Sequence, residues 1–178
     1  MVEKRQRSTV NGQRELPEGD VRRVWSALET VLDPEVPVLS IVELGIVRDI
    51  KLDGETVRVT VTPTYSGCPA MHAIEQEIVA ALQAAGFQQV ELQTVYAPAW
   101  TTDWITAPAR EKLRAYGIAP PGSAATTLVQ LSGPPKAVPC PACGSRDTGL
   151  VSEFGATACK SLHICRACRQ PFEHFKTF

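Results

Sequence analysis

The sequence predicts an α+β fold in two parts, in which a mixed helix and strand region precedes a shorter β-rich region. Three segments carry apolar residues at helical spacing, and other segments alternate apolar and polar residues as strands do. Five of the six cysteines lie beyond residue 139 of the 178-residue chain. These observations predict a small domain with the element order α-β-β-α-β-α, followed by a cysteine-rich β structure.

The composition favours a folded globular protein, because 44% of the residues are hydrophobic and 21% are charged. The net charge of −1 disfavours a globally basic nucleic-acid-binding protein. No apolar run is long enough to span a bilayer, and no apolar core of a secretory signal follows the basic residues Lys4, Arg5 and Arg7. We therefore expect a cytoplasmic protein without membrane contact, whose cysteines are thiols or metal ligands rather than disulfides.

The first helix is predicted to begin near Asp20, a favourable N-cap, after a disordered polar tail over 1–17. Its end is predicted at Asp33-Pro34, because the residue before a proline avoids helical geometry. We then expect a loop up to about Gly45. The apolar face of this helix would consist of Val21, Val24, Trp25, Leu28, Val31 and Leu32.

Two strands follow as a hairpin around the turn Asp53-Gly54. Apolar residues at alternate positions define their buried face: Ile46, Ile50, Leu52, Val57, Val59 and Val61. The second helix is predicted to begin at Pro69 and to end at Gly86. Its apolar stripe consists of Met71, Ile74, Ile78, Leu82 and Ala85.

The remaining elements of the first part are a third strand near 88–95 and a last helix near 107–116. Val90 and Leu92 would point inward from the strand. The loop between these elements carries Trp100 and Trp104, which we expect to form an exposed partner surface.

A shift in composition towards Pro, Gly, Ala and Ser separates the two parts between 119 and 139. An extended stretch is expected within this linker near 126–131. The sequence thus predicts a tail over 1–17, a first domain over 18–119, a linker over 120–137 and a second domain over 138–178.

Two Cys-x-x-Cys pairs, Cys140 with Cys143 and Cys165 with Cys168, give the second domain the pattern of a zinc ribbon. Each pair presents two sulfurs to one ion, and two pairs brought together by a hairpin complete a tetrahedron. So short a segment buries too little surface to fold unaided, and metal ligation would supply the missing free energy. Structural zinc is the favoured interpretation, and a redox pair or unrelated thiols are the alternative.

The strands of this ribbon are expected near 149–154 and 160–165. Cys159 is interpreted as a free thiol or as an alternative zinc ligand, and His163 and His174 as surface residues. The small core of the ribbon would consist of Phe154, Leu162, Ile164, Phe172 and Phe175.

Cys68 lies directly before Pro69, at the predicted start of the second helix. Unpaired backbone N–H groups and the helix dipole favour negative charge there, so we expect a nucleophilic thiolate. Gly67 lets the chain turn without blocking access, and His72 is a weak candidate for a base partner. The alternative is a buried cysteine that packs as a small apolar residue.

Acidic residues near the end of the first helix are candidates for two roles. Asp33 and Glu35, with Glu43 beyond them, could coordinate a metal or could cap neighbouring backbone N–H groups. Capping is the commoner role of such residues.

Three motifs resemble the MIP18 (DUF59) family of metal–sulfur cluster assembly domains. They are Asp33–Pro37, Ser40–Gly45 and Thr62–Pro69. The resemblance implies that Cys68, in a Gly-Cys-Pro motif, is reactive or cluster-binding. It implies supporting roles for other residues of the motifs, namely Asp33, Glu35, Glu43 and Thr64. Glu43 stands where the family usually has an aspartate.

Further segments resemble one branch of this family, the D subunits of phenylacetyl-CoA epoxidase systems in bacterial phenylacetate degradation. They are Trp100–Ile105, Arg110–Leu113, Gly117–Pro121, Ser152–Lys160 and Pro171–Lys176. The resemblance implies a non-catalytic accessory factor that assists iron–sulfur or metal-centre assembly in the oxygenase or, by preference, in its iron–sulfur reductase. It implies structural zinc in the ribbon and a transient iron–sulfur cluster or iron at Cys68. The cluster or iron would be held by Cys68 of one protomer or of both protomers of a homodimer.

Two other functions fit the motifs. Cys68 as a thiol nucleophile, or Cys159 as a redox centre, would make the protein an enzyme, although no base and oxyanion constellation is evident. The second is a nucleic-acid-binding ribbon with a modest basic patch, formed by Lys160, Arg166, Arg169 and Lys176.

Overall fold

The computed structural model describes residues 18–123 and 137–178. The predicted tail over 1–17 and the extended stretch expected near 126–131 lie outside these described residues. Among the helices of the two described ranges, none has the length and apolar character that a membrane span requires.

The first part of the chain has the predicted α+β character, with additional short strands. Its helices are α1 (Glu18–Leu28), α2 (Ala70–Ala84) and α3 (Ala107–Tyr116). Its strands are β1 (Leu32–Asp33), β2 (Val36–Ser40), β3 (Val47–Asp53), β4 (Thr56–Val61), β5 (Gln89–Thr94) and β6 (Ile118–Ala119). A short 3₁₀ turn, Thr102–Trp104, precedes α3. The last helix spans the residues that the sequence predicts.

A three-stranded sheet with the order β3-β4-β5 is the frame of this part. β3 and β4 form the predicted antiparallel hairpin, and β5 lies parallel to β4 because α2 crosses over between them. The alternating valines of the central strand β4 are fully buried, as are the inward residues of α2. These core residues are Val57, Val59, Val61, Ile74, Ile78 and Leu82.

The segment between α1 and β3 is a hairpin rather than the predicted loop. β1 and β2 pair in antiparallel fashion, and Val36 and Leu39 of β2 are buried. The Asp33 carboxylate closes the turn, because its Oδ1 accepts the backbone N–H groups of Glu35 and Val36, each at 2.8 Å. Strands this short leave too few alternating positions for a pattern to reveal them.

Helix α1 ends at Leu28, earlier than the predicted stop at Asp33-Pro34. The backbone N–H of Thr30 donates to the carbonyl of Ala27 at 3.1 Å, which tightens the last turn. Val21 and Leu32 are exposed, so the predicted apolar face was too wide. Its buried residues within the helix are Val24 and Leu28.

The second part is a ribbon of three antiparallel strands, β7 (Thr148–Ser152), β8 (Lys160–Cys165) and β9 (Pro171–Phe175). The first two correspond to the predicted strands, and the third was not predicted. β6 of the first part pairs with β9 in parallel fashion, which gives the sheet order β6-β9-β8-β7. The ribbon sheet therefore includes a strand of the first part.

Trp100 of the predicted partner surface is instead part of the interior. The Trp100 ring is buried, and its Nε1 donates to the carbonyl of Leu44 at 3.0 Å. Its centroid lies 6.2 Å from the rings of both Phe175 and Phe178. Phe175 thus belongs to the core of the first part rather than to the predicted ribbon core, and Trp104 is half-buried.

The ribbon core also differs from the prediction. Phe154 is 65% exposed, and Leu162 and Ile164 of β8 are only half-buried. The buried face of β8 is instead polar, and consists of Ser161, His163 and Cys165. Side chains alternate between the two faces of a strand. Because Cys165 faces the sulfur cluster, Ser161 and His163 lie on the same face of β8.

Candidate metal and thiol sites

The four cysteines of the two Cys-x-x-Cys pairs converge on one point. Their sulfur atoms all lie within 4.8 Å of one another. The Cys140 and Cys168 sulfurs are 3.8 Å apart, and those of Cys143 and Cys165 are 3.6 Å apart. Tetrahedral zinc with Zn–S bonds of about 2.3 Å requires sulfurs about 3.8 Å apart, so this donor set fits zinc. Four protein sulfurs complete the coordination, which is the arrangement of a structural site.

The two sulfur-bearing loops share one backbone pattern. The first cysteine of each pair donates its backbone N–H to the carbonyl of the residue five positions later, at 2.9 Å for Cys140 and 3.0 Å for Cys165. The residue after the second cysteine of each pair has a left-handed backbone conformation, with φ of 73° at Gly144 and 61° at Arg169. Glycine adopts this conformation freely, whereas arginine has a cost of about 1–2 kcal/mol. The structure therefore shows a strained position beside Cys168 that matches the glycine beside Cys143.

Backbone donors in the second loop favour a sulfur anion. The N–H of Cys168 is the largest influence on Cys165, and the pKa of Cys165 is lowered from 9.0 to about 7 although burial acts in the opposite sense. A cysteine must be deprotonated to bind a metal, so these backbone donors favour the ligating form of Cys165.

The histidines of the ribbon are not the surface residues that the sequence suggests. His163 is buried, stacks on Phe172 with ring centroids 5.5 Å apart, and has its Nε2 3.0 Å from the Ser161 hydroxyl. Burial, with a contribution from the nearby His163, lowers the pKa of His174 to about 4. Both rings contribute to the packing of the ribbon, outside the four-sulfur group.

Cys68 lies on a turn at the N-terminal end of α2. Gly67 has a φ of 79°, and its missing Cβ would meet no atom within 4 Å. The Cys68 N–H donates to the carbonyl of Tyr65 at 3.3 Å, and its carbonyl accepts from Met71 at 3.2 Å. Since α2 begins at Ala70, the thiol precedes the first helical residue. The side chain is half-buried, so it is accessible in part.

The proposed base His72 lies on the exposed side of α2. Its Nε2 is 3.1 Å from the side-chain nitrogen of Gln76. Within the described residues, no hydrogen bond joins this ring to Cys68.

Several ionisable side chains from different parts of the chain act on Tyr65. Burial raises the pKa of Tyr65 to about 12, and the charge and hydrogen bond of Cys68 add to the effect. The charges of Glu35 and Cys159 contribute in the same sense. We call Glu35, Tyr65, Cys68 and Cys159 the thiol cluster.

Cys159 reaches this cluster from the ribbon. Its sulfur lies 3.6 Å from the Glu35 carboxylate and 3.1 Å from the Thr157 hydroxyl. The Lys160 ammonium donates to the backbone carbonyl of Glu35 at 3.3 Å. The sequence placed Cys159 beside the zinc ligands, and no local signal indicates its contact with a residue 124 positions earlier.

The other residues proposed to support Cys68 have contacts of their own. Asp33 closes the β1–β2 turn, and burial raises its pKa although two backbone N–H donors act against this. The Glu43 carboxylate accepts the backbone N–H of Ser40 at 3.0 Å and pairs with the Lys112 ammonium at 2.7 Å. Thr64 is half-buried in the loop that precedes the Gly-Cys-Pro motif.

Two of the four cations in the basic patch proposed for nucleic acid, Lys160 and Arg166, pair with carboxylates. Lys160 is only 5% exposed, and its ammonium pairs with Glu173 at 2.8 Å. Arg166 pairs with Asp147 at 3.3 Å. Two of the four proposed cations are thus neutralised by neighbouring carboxylates.

Comparison with known proteins matches one family model to each part of the chain. Residues 22–100 match the family described as iron–sulfur cluster assembly protein, and residues 123–176 match the PaaD zinc beta ribbon domain. A protein of Escherichia coli (strain K12), provisionally named as the D subunit of 1,2-phenylacetyl-CoA epoxidase, is 47% identical to this chain. The alignment covers 88% of this chain and 92% of that protein. The chain belongs to the family of phenylacetyl-CoA epoxidase D subunits.

Other relatives match the first part of the chain. The Fe-S protein maturation auxiliary factor YitW of Bacillus subtilis (strain 168) is 38% identical, over 45% of this chain and 79% of the relative. The crystal structure of a domain of unknown function, DUF59, from Bacillus anthracis superimposes with a TM-score of 0.51 at 28% identity. It covers 54% of this chain and 92% of that structure. The chain thus joins a region that matches the iron–sulfur cluster assembly protein family to a region that matches the PaaD zinc beta ribbon domain.

Proposed function

We propose that this protein is a non-catalytic accessory factor of the phenylacetyl-CoA epoxidase system in aerobic phenylacetate degradation, and that it assists the assembly of an iron–sulfur cluster or metal centre. The observation that carries this proposal is the half-buried thiol of Cys68, on an open glycine turn of a domain that matches the cluster-assembly family. The names of two relatives support the proposal. The D subunit of the epoxidase supports the link to that system, and the Fe-S maturation factor supports the role in assembly.

In this proposal, Cys68 holds iron or a cluster as a substrate that is passed on. The thiol loses its proton when it binds the cargo. A cysteine of the client then loses its own proton and takes the cargo, and Cys68 regains a proton, so the exchange needs no oxidant or reductant. Zinc, when bound by the four ribbon cysteines, supplies folding free energy to the ribbon.

The proposed client is the iron–sulfur reductase of the system. Iron–sulfur clusters are held by cysteine thiolates, so ligand exchange with Cys68 joins two sites of like chemistry. A carboxylate and histidine di-iron site offers no such thiol. Because the thiols must stay reduced, we place this function in the cytoplasm.

A thiol-dependent enzyme is less well supported. The His72 ring lies on the exposed side of α2, where its Nε2 is 3.1 Å from the Gln76 side-chain nitrogen. Within the described residues it makes no hydrogen bond to Cys68, so the nucleophile and base pair that such an enzyme needs is not formed there.

The test is reconstitution of the apo-reductase with iron and sulfide in the presence of this protein. Wild-type protein should restore electron transfer through the reductase to an acceptor, and Cys68→Ser should not. Ser66→Ala, an exposed change in the same loop, is the matched control. Zinc content and thermal unfolding should be equal in all three proteins. Full restoration by Cys68→Ser would refute the role of Cys68, and measurement of iron in the oxygenase would then test the other client.

A further inference from the structure

A cavity of about 420 Å³ lies where the ribbon meets the first part of the chain. It is open to solvent, and its wall is formed by the β1–β2 hairpin, the end of α3 and the strands β6, β8 and β9. Its volume is within the range of about 300–1,000 Å³ that is usual for ligand pockets. Cys68 and the four zinc-ribbon cysteines are not among the lining residues, so the cavity is separate from the zinc site and from the proposed assembly thiol.

Most of the cavity wall is apolar. The apolar side chains come from both parts of the chain, and they are Pro37, Ile118, Leu162, Pro171 and Phe172. Tyr116 also lines the cavity, and it is 57% exposed. An apolar wall suits the hydrocarbon stem of a long side chain, and the face of an exposed aromatic ring attracts a cation.

Two carboxylates line the cavity, and one of them is paired with a cation. Glu173 accepts from the Lys160 ammonium at 2.8 Å and from the backbone N–H of Ala156 at 2.7 Å, so both of its oxygens are engaged. The Glu35 Oε2 lies 3.6 Å from the Cys159 sulfur, and within the two described ranges the Glu35 carboxylate forms no ion pair. Because Lys160 neutralises Glu173, the lining keeps the negative charge of Glu35.

The C-terminal end of helix α3 adds partial negative charge to the same wall. Tyr116 is the last residue of the helix, and Gly117 follows it with a φ of 93° and donates its N–H to the Arg114 carbonyl at 3.0 Å. The last carbonyls of a helix lack partners further along the helix, and the aligned peptide dipoles are equivalent to about half a negative charge there. A carboxylate and a helix end, from two different elements, therefore both favour a cation in this cavity.

We propose that this cavity binds an arginine side chain of a partner protein. The guanidinium pairs with the Glu35 carboxylate and stacks on the Tyr116 ring, and its methylene stem lies against the apolar wall. Arginine fits better than lysine, because its planar group can both stack on a ring and donate two parallel hydrogen bonds to one carboxylate. Because the cavity is open to solvent, the flanking backbone of the partner can remain outside it. The inference goes beyond the proposed function, since it depends neither on Cys68 nor on a cargo.

The test uses the full, zinc-loaded chain labelled with nitrogen-15, and its probe is a capped tripeptide with arginine between two glycines. The amide resonances of Gly117, Ile118 and Glu173, which line the cavity, should shift in a saturable manner during the titration. A peptide with citrulline in place of arginine has nearly the same shape without the charge. It should bind about tenfold more weakly, because hydrogen bonds between charged groups are stronger than those of a neutral donor.

Two variants test the roles of the lining residues. Glu35→Gln should weaken binding of the arginine peptide by about tenfold, because the variant removes the charge and keeps the shape of the side chain. Tyr116→Leu should weaken binding by about threefold, because the aromatic face is lost. Glu111→Gln changes an exposed carboxylate of the same helix outside the lining, so it is the matched control and should bind as wild type. Zinc counts and circular dichroism verify that each variant is folded.

Several results would overturn this inference. Equal binding of the arginine and citrulline peptides, or undiminished binding to Glu35→Gln, would show that this carboxylate does not select a cation. The absence of a saturable shift, or shifts confined to residues outside the lining, would show that the peptide does not enter the cavity. Ethylguanidinium that binds as tightly as the peptide would indicate a site for free cations rather than for a partner protein. The reductase reconstitution with Cys68→Ser tests the proposed function separately.

Discussion

At the scale of single residues, Thr62 places an unpaired polar group in the interior. Its side chain is 1% exposed, and its hydroxyl has no hydrogen-bonding partner within the described part of the chain. Its backbone is satisfied, because its N–H donates to the carbonyl of Ile46 at 2.9 Å. A buried hydroxyl that has lost water without gaining a partner costs about 1–3 kcal/mol. Thr62 therefore lowers the stability of the fold.

Replacement of this hydroxyl by a methyl group should stabilise the protein. We expect Thr62→Val to raise the free energy of unfolding by about 1 kcal/mol, because an apolar group of similar shape removes the unmet polar atom. Urea unfolding of zinc-loaded protein measures the change. Thr102→Val is the control, and should lower stability, because its hydroxyl lies 3.3 Å from the Phe178 carbonyl oxygen. Equal or lower stability of Thr62→Val would mean that the hydroxyl has a partner, such as an ordered water.

At the scale of elements, Glu43 joins the turn between β2 and β3 to helix α3. Its backbone N–H donates to the Ser40 hydroxyl at 3.1 Å, and its carboxylate accepts the Ser40 N–H at 3.0 Å. This reciprocal pair is a capping box, which takes glutamate or glutamine at its fourth position. The Lys112 ammonium of α3 adds an ion pair at 2.7 Å. The carboxylate noted in the sequence as a candidate ligand is thus engaged in capping.

The Glu43 pair predicts a pH dependence of stability. Burial raises the pKa of Glu43, but the hydrogen bonds and charge of Lys112 and Ser40 prevail, and the net shift is below 4.5. A lowered folded pKa stabilises the protein above the unfolded pKa, and this contribution is lost as the pH falls through the folded value. Glu43→Gln keeps a side-chain oxygen that can accept the Ser40 N–H but removes the charge, so it should cost about 0.5–1 kcal/mol at neutral pH.

Urea unfolding at several pH values measures this difference. The wild type and Glu43→Gln should converge in stability as the pH falls through the lowered folded pKa of Glu43, because the wild-type carboxyl is then protonated. Glu111→Gln is the control, because the exposed Glu111 pairs with Arg114 on the surface of α3 and should contribute little. A difference that persists at low pH would show that the effect of Glu43→Gln is not electrostatic.

At the scale of the whole molecule, the ribbon and the first part share a core and a sheet. β6 pairs with β9, and Phe175 of β9 packs against Trp100 of the first part. The Phe178 carbonyl accepts the backbone N–H of Thr102 at 3.2 Å and the Thr101 hydroxyl at 2.9 Å. The contact between Cys159 and Glu35 depends on this packing, since Cys159 belongs to the same core cluster as Phe175.

Loss of the Phe175 ring should loosen this boundary. We expect Phe175→Ala to cost about 3–5 kcal/mol, because it leaves a cavity between two packed parts. The rate at which a thiol reagent labels Cys159 in zinc-loaded protein should rise together with this loss. Phe154→Ala is the control, because Phe154 is 65% exposed, and it should change stability by less than about 0.5 kcal/mol. Unchanged labelling in Phe175→Ala would show that the boundary holds without this ring.

The sequence by itself determined the features whose chemistry is local. The two Cys-x-x-Cys pairs place their sulfurs through the geometry of their own loops, so their convergence follows from spacing. The β3–β4 hairpin and α3 likewise follow from residues close together in the chain. The motifs around Cys68 indicated the family for the same reason, since each is a short continuous segment.

The tertiary structure alone decided what depends on contacts between distant residues. The sequence predicts Trp100 as a surface residue, but in the structure the Phe175 ring packs against it. The sequence also places Cys159 beside the zinc ligands, but in the structure its sulfur contacts the Glu35 carboxylate. Burial of a side chain is decided by whichever part of the chain packs over it, and periodicity records only the local element. The contact between the Cys159 thiol of the ribbon and the Glu35 carboxylate of the first part is therefore a property of the folded molecule.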